Sequence, residues 1–251
     1  MRNFKLVMEY EGTRYQGWQK QGNTDRTIAG KLEFILGKML GHRVEIHGCG
    51  RTDAGVHALC QTAHWKADTQ MGCQEILEYL NHYLPMDIRI LTVQEMPLLF
   101  HSRLHVVSKT YCYQIFLGKK PPVFERNVVF CIGRSLNLDD MRRGAADCVG
   151  THDFQSFCAA KRGKKSTVRT VTQCSLDQVG NLITLRVTGN GFLYHMVRIL
   201  AGTLVEIGEG TRPADSIPDL LRAKNRSLAG PTLPACGLTL TEVNYLEGGV
   251  K

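Results

Sequence analysis

The sequence predicts an α+β fold in two subdomains of similar element order, with helices packed on a sheet in each. Three observations predict it. Residues 1–103 read as strand, helix, strand, strand, helix, strand, an order that suits helices layered on a sheet. Residues 104–251 mix strands and helices in a similar order, without a sequence repeat. The chain has 251 residues, 43% hydrophobic and 22% charged, enough for one large domain or two small ones sharing a core. The boundary falls near residue 103.

In the first half, residues 4–10 alternate as a half-buried strand does. Glu11-Gly12-Thr13 breaks it, and a loop follows that carries Arg14, Tyr15, Trp18 and Lys20. Unpaired RNA bases stack on such rings while cations hold phosphates; equally, Tyr15 and Trp18 would cap the edge of the core. Residues 28–40 form an amphipathic helix with Leu32, Ile35, Leu36, Met39 and Leu40 on one face, and Thr27 is placed to cap it. Strands are expected at 44–46 and 60–65, a helix at 74–84 stopped by Pro85, and a strand at 87–93.

In the second half, His101 and His105 are four apart in extended sequence. That separates them by about 13 Å, too far for one metal ion. Residues 106–116 make the clearest long strand, with Lys109, Tyr111, Tyr113 and Ile115 on one face. A strand is expected at 127–132 and a helix from Asn137, its N-cap, to about 149. Residues 150–157 read as a loop. Lys161, Arg162, Lys164 and Lys165 then give four cations in five residues, with Arg169 close behind: either a solvated loop or an arm that meets phosphates. A strand at 182–189 bends through Gly189-Asn190-Gly191 into a helix ending near Ile207, with Arg198 near its start. A final strand is expected at 238–243.

Composition narrows the function classes. The net charge of +8 favours a polyanionic partner, since neutralising phosphates releases counterions. Nine cysteines contain no C-x-x-C pair, so neither a zinc ribbon nor a redox motif is suggested, and buried free thiols in a reducing compartment are expected. No apolar run approaches the roughly 20 residues of a membrane span, and no signal peptide is apparent. A cytoplasmic location is the default.

The most informative stretch is Gly48-Cys49-Gly50-Arg51-Thr52-Asp53-Ala54-Gly55-Val56-His57-Ala58. Its glycines imply a sharp turn or a close approach by another molecule. Asp53 and Arg51 are aimed by the flanking strands, so the acid is a candidate for catalysis. The competing reading is a turn aspartate that accepts loop amides and pairs with Arg51.

The segment Gly50-Arg51-Thr52-Asp53-Ala54-Gly55-Val56-His57-Ala58 resembles the signature of the TruA family of tRNA pseudouridine synthases. So do Tyr10-Glu11-Gly12-Thr13-Arg14-Tyr15-Gln16-Gly17-Trp18-Gln19, Lys109-Thr110-Tyr111-Cys112-Tyr113 and Gly150-Thr151-His152-Asp153-Phe154-Gln155-Ser156-Phe157. Phe192-Leu193-Tyr194-His195-Met196-Val197-Arg198 and Ala229-Gly230-Pro231-Thr232-Leu233-Pro234-Ala235-Cys236-Gly237-Leu238 complete a series spanning nearly the whole chain in order. Ala29, Cys112 and Cys236 depart from the commoner family residues, none at a presumed catalytic position.

The resemblance implies the pseudouridine synthase fold, with a mixed, mostly antiparallel central sheet flanked by helices. It also implies a reaction without cofactor or metal. The N-glycosidic bond of a uridine in tRNA breaks, and the uracil turns and rejoins the ribose through C5. Asp53 matches the essential aspartate, which traps positive charge at C1′ as glycosidase carboxylates do or removes a ribose proton. Tyr111 matches the active-site tyrosine that stacks on the base or helps the C5 proton leave. Arg51 matches the arginine that holds the space of the extracted base or pairs with the acid. Arg198 matches a further cation, suited to Asp53 or a phosphate. Arg14, Tyr15, Trp18, Lys109, Lys161, Arg162, Lys164 and Lys165 are the remaining substrate-binding candidates. The expected partner is tRNA, modified in the anticodon stem-loop around positions 38–40, and the expected assembly is a homodimer. Two other classes compete. A silent RNA-binding module would not need Asp53, and a methyltransferase would need a G-x-G-x-x-G loop after a strand, which is absent from the sequence.

Overall fold

A computed structural model describes residues 1–160 and 166–246. The chain begins with β1 (Arg2–Tyr10), α1 (Ile28–Leu40), β2 (His47–Gly48), β3 (His57–Ala67), α2 (Cys73–Tyr83) and β4 (Ile88–Met96). It continues with β5 (Val106–Phe116), β6 (Phe130–Cys131), α3 (Leu138–Ala146), β7 (Gly150–Asp153), β8 (Val168–Val179) and β9 (Leu182–Gly189). It closes with α4 (Met196–Gly208), α5 (Ile217–Ala223) and β10 (Leu238–Tyr245). The class is α+β, with strands that pair mostly antiparallel; β6 pairs parallel, against β5.

Two compact units form: Met1–Val107 together with the stretch from Leu240, and Ser108–Thr239. The sequence reading places everything after 103 in one half. Here residues 104–107 and the body of β10 group with the first unit instead, because a strand joins the sheet that buries it whatever its place in the chain.

In the first unit the strand order is β4-β1-β3-β10, with β2 paired on β3. Leu6 of β1 stands between Ala63 of β3 and Val93 of β4. Phe4, Leu6 and Met8 point into a core closed by Leu32 and Leu36 of α1, Ile76 and Leu80 of α2, and Trp65. Phe4 and Trp65 stack at 4.8 Å. Thr27 caps α1 by accepting from the Gly30 amide at 3.2 Å. Glu75 closes the start of α2 by accepting from the Gly72 amide at 2.6 Å. Two expectations shift. Residues 44–46 are not a strand; pairing is confined to His47–Gly48. β3 starts at His57, three residues earlier than expected, so the Asp53 loop runs straight into it.

In the second unit the order is β5-β9-β8-β7. β5 and β9 run in register from Lys109↔Gly189 to Phe116↔Leu182. α4 is buried on nearly every side, more than its apolar stripe implied. The Ala229-Gly230-Pro231 segment crosses it, with the Gly230 amide donating to Thr203 Oγ1 at 3.0 Å. Asn137 caps α3 through the amides of Asp139 and Asp140, and the helix stops at Ala146 rather than 149. The strand expected at 127–132 shortens to Phe130–Cys131. Residues 150–153, read as loop, form β7, and β8 was not expected at all.

Candidate active site

The Asp53 loop is fixed from beneath by a buried polar network. Gln61, on β3, has a fully buried side chain (0% exposed). Its Nε2 donates to Gly50 O at 3.2 Å and to the Tyr10 hydroxyl at 3.3 Å, and its Oε1 accepts from Cys49 Sγ at 2.9 Å. The Tyr10 hydroxyl in turn shares a hydrogen bond of 2.8 Å with Thr52 Oγ1. Thr52 and Gly50 flank Arg51, and Thr52 adjoins Asp53. A polar side chain so deeply buried persists only when its bonds are met; here each bond ends on the loop or on a neighbour that holds it. Burial pushes the Tyr10 hydroxyl pKa upward, opposed by its bonds to Thr52 and Gln61. It stays neutral. Arg51 is exposed, and Val56 N donates to Asp53 O at 3.2 Å to close the turn.

The first loop braces the same segment from the side. Trp18 N donates to Thr52 O at 3.0 Å, and Gly55 N to Tyr15 O at 3.2 Å. Gly17 adopts φ +84°, and a side chain there would stand 2.6 Å from Thr52 O. Only glycine meets both demands. These contacts correct the expectation that Tyr15 and Trp18 bind RNA bases. Both rings are buried, at 6% and 3% exposure. The Trp18 indole packs where a Gly48 side chain would otherwise sit, 2.5 Å away, and the Tyr15 hydroxyl donates to Asp87 Oδ1 at 2.6 Å. Both rings are taken up by partners within the first unit, the indole by Gly48 and the Tyr15 hydroxyl by Asp87, so the two aromatics act as the core-edge cap. Arg14 is exposed but binds Asp87 Oδ2 through Nε at 2.9 Å and Nη2 at 2.5 Å. Asp87, which the sequence did not single out, is the anchor of this loop.

In the second unit the candidates lie on β5 and at the start of α4. Tyr111 is buried on β5, with the Phe192 ring set edge-on at 5.1 Å. Lys109, two residues earlier, is half-buried opposite Gly189. Tyr113, also on that face, is a structural residue: its hydroxyl donates to Pro234 O at 2.7 Å. Arg198, in the first turn of α4, donates from Nε to Leu233 O at 2.7 Å, so the A-G-P-T-x-P segment orients the arginine. The G-x-H-D-F-x-S-F segment is architectural as well. Phe154 and Phe157 are fully buried, Ser156 Oγ donates to Leu220 O at 2.6 Å, and Asp153 pairs with Lys224 at 2.9 Å. Lys161, Arg162, Lys164 and Lys165 lie outside the described residues.

None of the nine cysteines forms a disulfide, and five of them are buried. Among the described residues, no group of three or more His, Cys, Asp or Glu side chains is arranged to hold a metal ion, and no helix is long and apolar enough to cross a membrane.

A loop acid held by a buried network, in an α+β frame that carries all the quoted segments, matches a known family along most of the chain. A model of that family, described as tRNA pseudouridine synthase, matches residues 6–104 and 145–246. The chain belongs to the tRNA pseudouridine synthase family. It is 42% identical over 245 residues to tRNA pseudouridine synthase A 2 of Bacillus cereus (strain ZK / E33L), covering 98% of this chain and 100% of that one. It is 43% identical over 248 residues to tRNA pseudouridine synthase A of Bacillus sp. (strain KSM-64), covering 99% of each. The enzyme of that name from Clostridium acetobutylicum is 40% identical over 245 residues, with 98% and 100% covered. The chain is therefore an isomerase whose substrate is uridine in tRNA.

Proposed function

We propose that this enzyme converts uridines of the anticodon stem-loop, around positions 38–40, with Asp53 as nucleophile or base. The observation that supports this reading is the rigid seat of Asp53: a carboxylate whose neighbours are pinned by the Gln61–Tyr10–Thr52 network. Pre-organised geometry is what an acid needs to act at C1′ of a flipped nucleotide. The N1–C1′ bond breaks and leaves positive charge on the ribose. The Asp53 carboxylate traps it as an ester or takes a ribose proton to give a glycal. The uracil turns and C5 bonds to C1′ as the Asp53 ester bond breaks or, from the glycal, as the ribose proton returns; the C5 proton then leaves to a base and N1 gains a proton. Tyr111 stacks on the base or assists the C5 proton. Arg51 occupies the space vacated by the base. Arg198 and Lys109 meet phosphates, as do Arg14 and the cations at 161, 162, 164 and 165. No metal or cofactor enters the scheme. A homodimer working in the cytoplasm completes the reading.

The test is tritium release from tRNA carrying C5-labelled uridine. Asp53→Asn should reduce release by at least 10³-fold, the scale on which losing a reacting group acts, with tRNA still bound. Release at the wild-type rate would overturn the role of Asp53. Mapping the product by position decides between the anticodon stem-loop and other uridines.

A further inference from the structure

Two adjacent aromatic rings stand where β9 turns into α4. Tyr194 and His195 stack with centroids 3.8 Å apart and planes within 28°. Neighbouring side chains do not face each other in a helix or a strand. Here they do because His195 takes the left-handed conformation, φ 62°, which is costly for a residue with a Cβ. The turn is held by main-chain bonds: Ala159 N to Tyr194 O at 3.1 Å, Met196 N to Leu193 O at 3.1 Å and Ile199 N to His195 O at 3.0 Å. Yet the ring so placed is not packed away. Tyr194 is 53% exposed.

The surroundings point to the occupant. The turn leaves β9 at Gly189, which pairs with Lys109, and Phe192 touches Tyr111. The stack therefore lies at the end of the second unit that carries Tyr111. Arg169 runs over Gly191 of the same turn, its Nε 3.6 Å from where a side chain at that position would begin. Its Nη1 is tied to Ser166 O at 3.0 Å and Val168 O at 2.6 Å. An exposed ring backed by a second ring, with an arginine held over the same turn, is the composition that holds an unpaired nucleotide: base on the ring, phosphate on the cation.

We propose that Tyr194, backed by His195, is a stacking subsite for an unpaired nucleobase of the RNA next to the target uridine, and that Arg169 meets its phosphate. The subsite selects for unpaired flanking sequence without reading base edges, since every base has a π-face. It rests on the isomerase reading above.

The experiment uses the full-length protein and an anticodon stem-loop RNA with 2-aminopurine placed in turn at each nucleotide flanking the target. Wild-type protein should quench fluorescence at one of these positions. Tyr194→Ala should abolish that quench and weaken binding roughly tenfold, whereas Tyr194→Phe and Tyr194→Trp retain both. Arg169→Gln should weaken binding and lower its salt slope by about one while the quench persists at saturation. If Tyr194→Ala binds and quenches as wild type does while pseudouridine forms normally, the subsite is overturned and the isomerase reading stands. A wild-type protein that forms no pseudouridine in this RNA would overturn both.

Discussion

At the scale of single residues, the weight falls on Gln61 rather than on the more conspicuous charged residues. Its side chain ties the floor of the first unit to Gly50, Tyr10 and Cys49 together. Replacing it by leucine leaves the part-buried Gly50 O and the buried Tyr10 hydroxyl with one partner fewer. Each such loss costs about 1–3 kcal/mol. We expect Gln61→Leu to lower stability in urea by that order and to cut kcat while tRNA affinity changes little, because the loss is felt in how Asp53 is held. Tyr10→Phe removes the bond to Thr52 Oγ1 and should act in the same direction. The two together should fall short of additivity, since they interrupt one network. Equal losses in kcat and in affinity, or full additivity, would count against a positioning role. Gln61 is visible in the sequence only as one of several polar residues in a strand, beside Thr62 and His64, and nothing local says what it reaches.

At the scale of elements, loops support loops here. The first loop is a bracket for the Asp53 segment, and Gly17 is its tightest point. Gly17→Ala should destabilise the protein by more than about 1 kcal/mol, since φ +84° and the 2.6 Å approach to Thr52 O both oppose a methyl group. Activity should drop with it, as Thr52 and Asp53 shift together. A Gly17→Ala protein with wild-type melting and turnover would contradict the bracket. Element boundaries were read least well where tertiary pairing decides them. β8 escaped notice although Val171, Cys174 and Leu176 are buried along it. The signal was Gly180-Asn181 between two alternating runs, a hairpin turn. The helices α1 and α3 were legible because caps and apolar periodicity are local properties.

At the scale of the whole molecule, charge and protons set the conditions. With a net charge of +8, tRNA binding should weaken steeply with salt. Replacing Lys161, Arg162, Lys164 and Lys165 by alanine should reduce the slope of log K on log salt by about 0.7–0.9 for each phosphate no longer neutralised. An unchanged slope would remove these cations from the interface. Acid should act through the first unit. His64 is buried, and burial, followed by repulsion from His101 and His47, pulls its pKa down to about 4. His101 is lowered as well, by burial first. Lys66 adds to the repulsion on His64, and Arg103 and His105 to that on His101. The folded state thus refuses a proton that the unfolded chain accepts near pH ~6.5. Stability is full above about pH 6.5 and falls as pH drops toward 4, by up to about 3 kcal/mol for His64. Urea midpoints measured between neutral pH and about pH 4 should show this decline, and His64→Gln should flatten it.

The α+β class, the amphipathic helices with their caps, the basic charge and the segments that mark the family, Asp53 among them, are legible in the string of residues alone. These depend on composition, on short-range periodicity and on strings of neighbouring residues. Long-range packing is what turns Tyr15 and Trp18 inward, makes Asp87 the anchor of the first loop, returns β10 to the first unit and sets Gln61 beneath the loop of Asp53. Whether an aromatic ring or an amide is a tool or a support depends on which atoms from distant parts of the chain surround it. That is settled by packing, where burial demands that every polar atom find a partner.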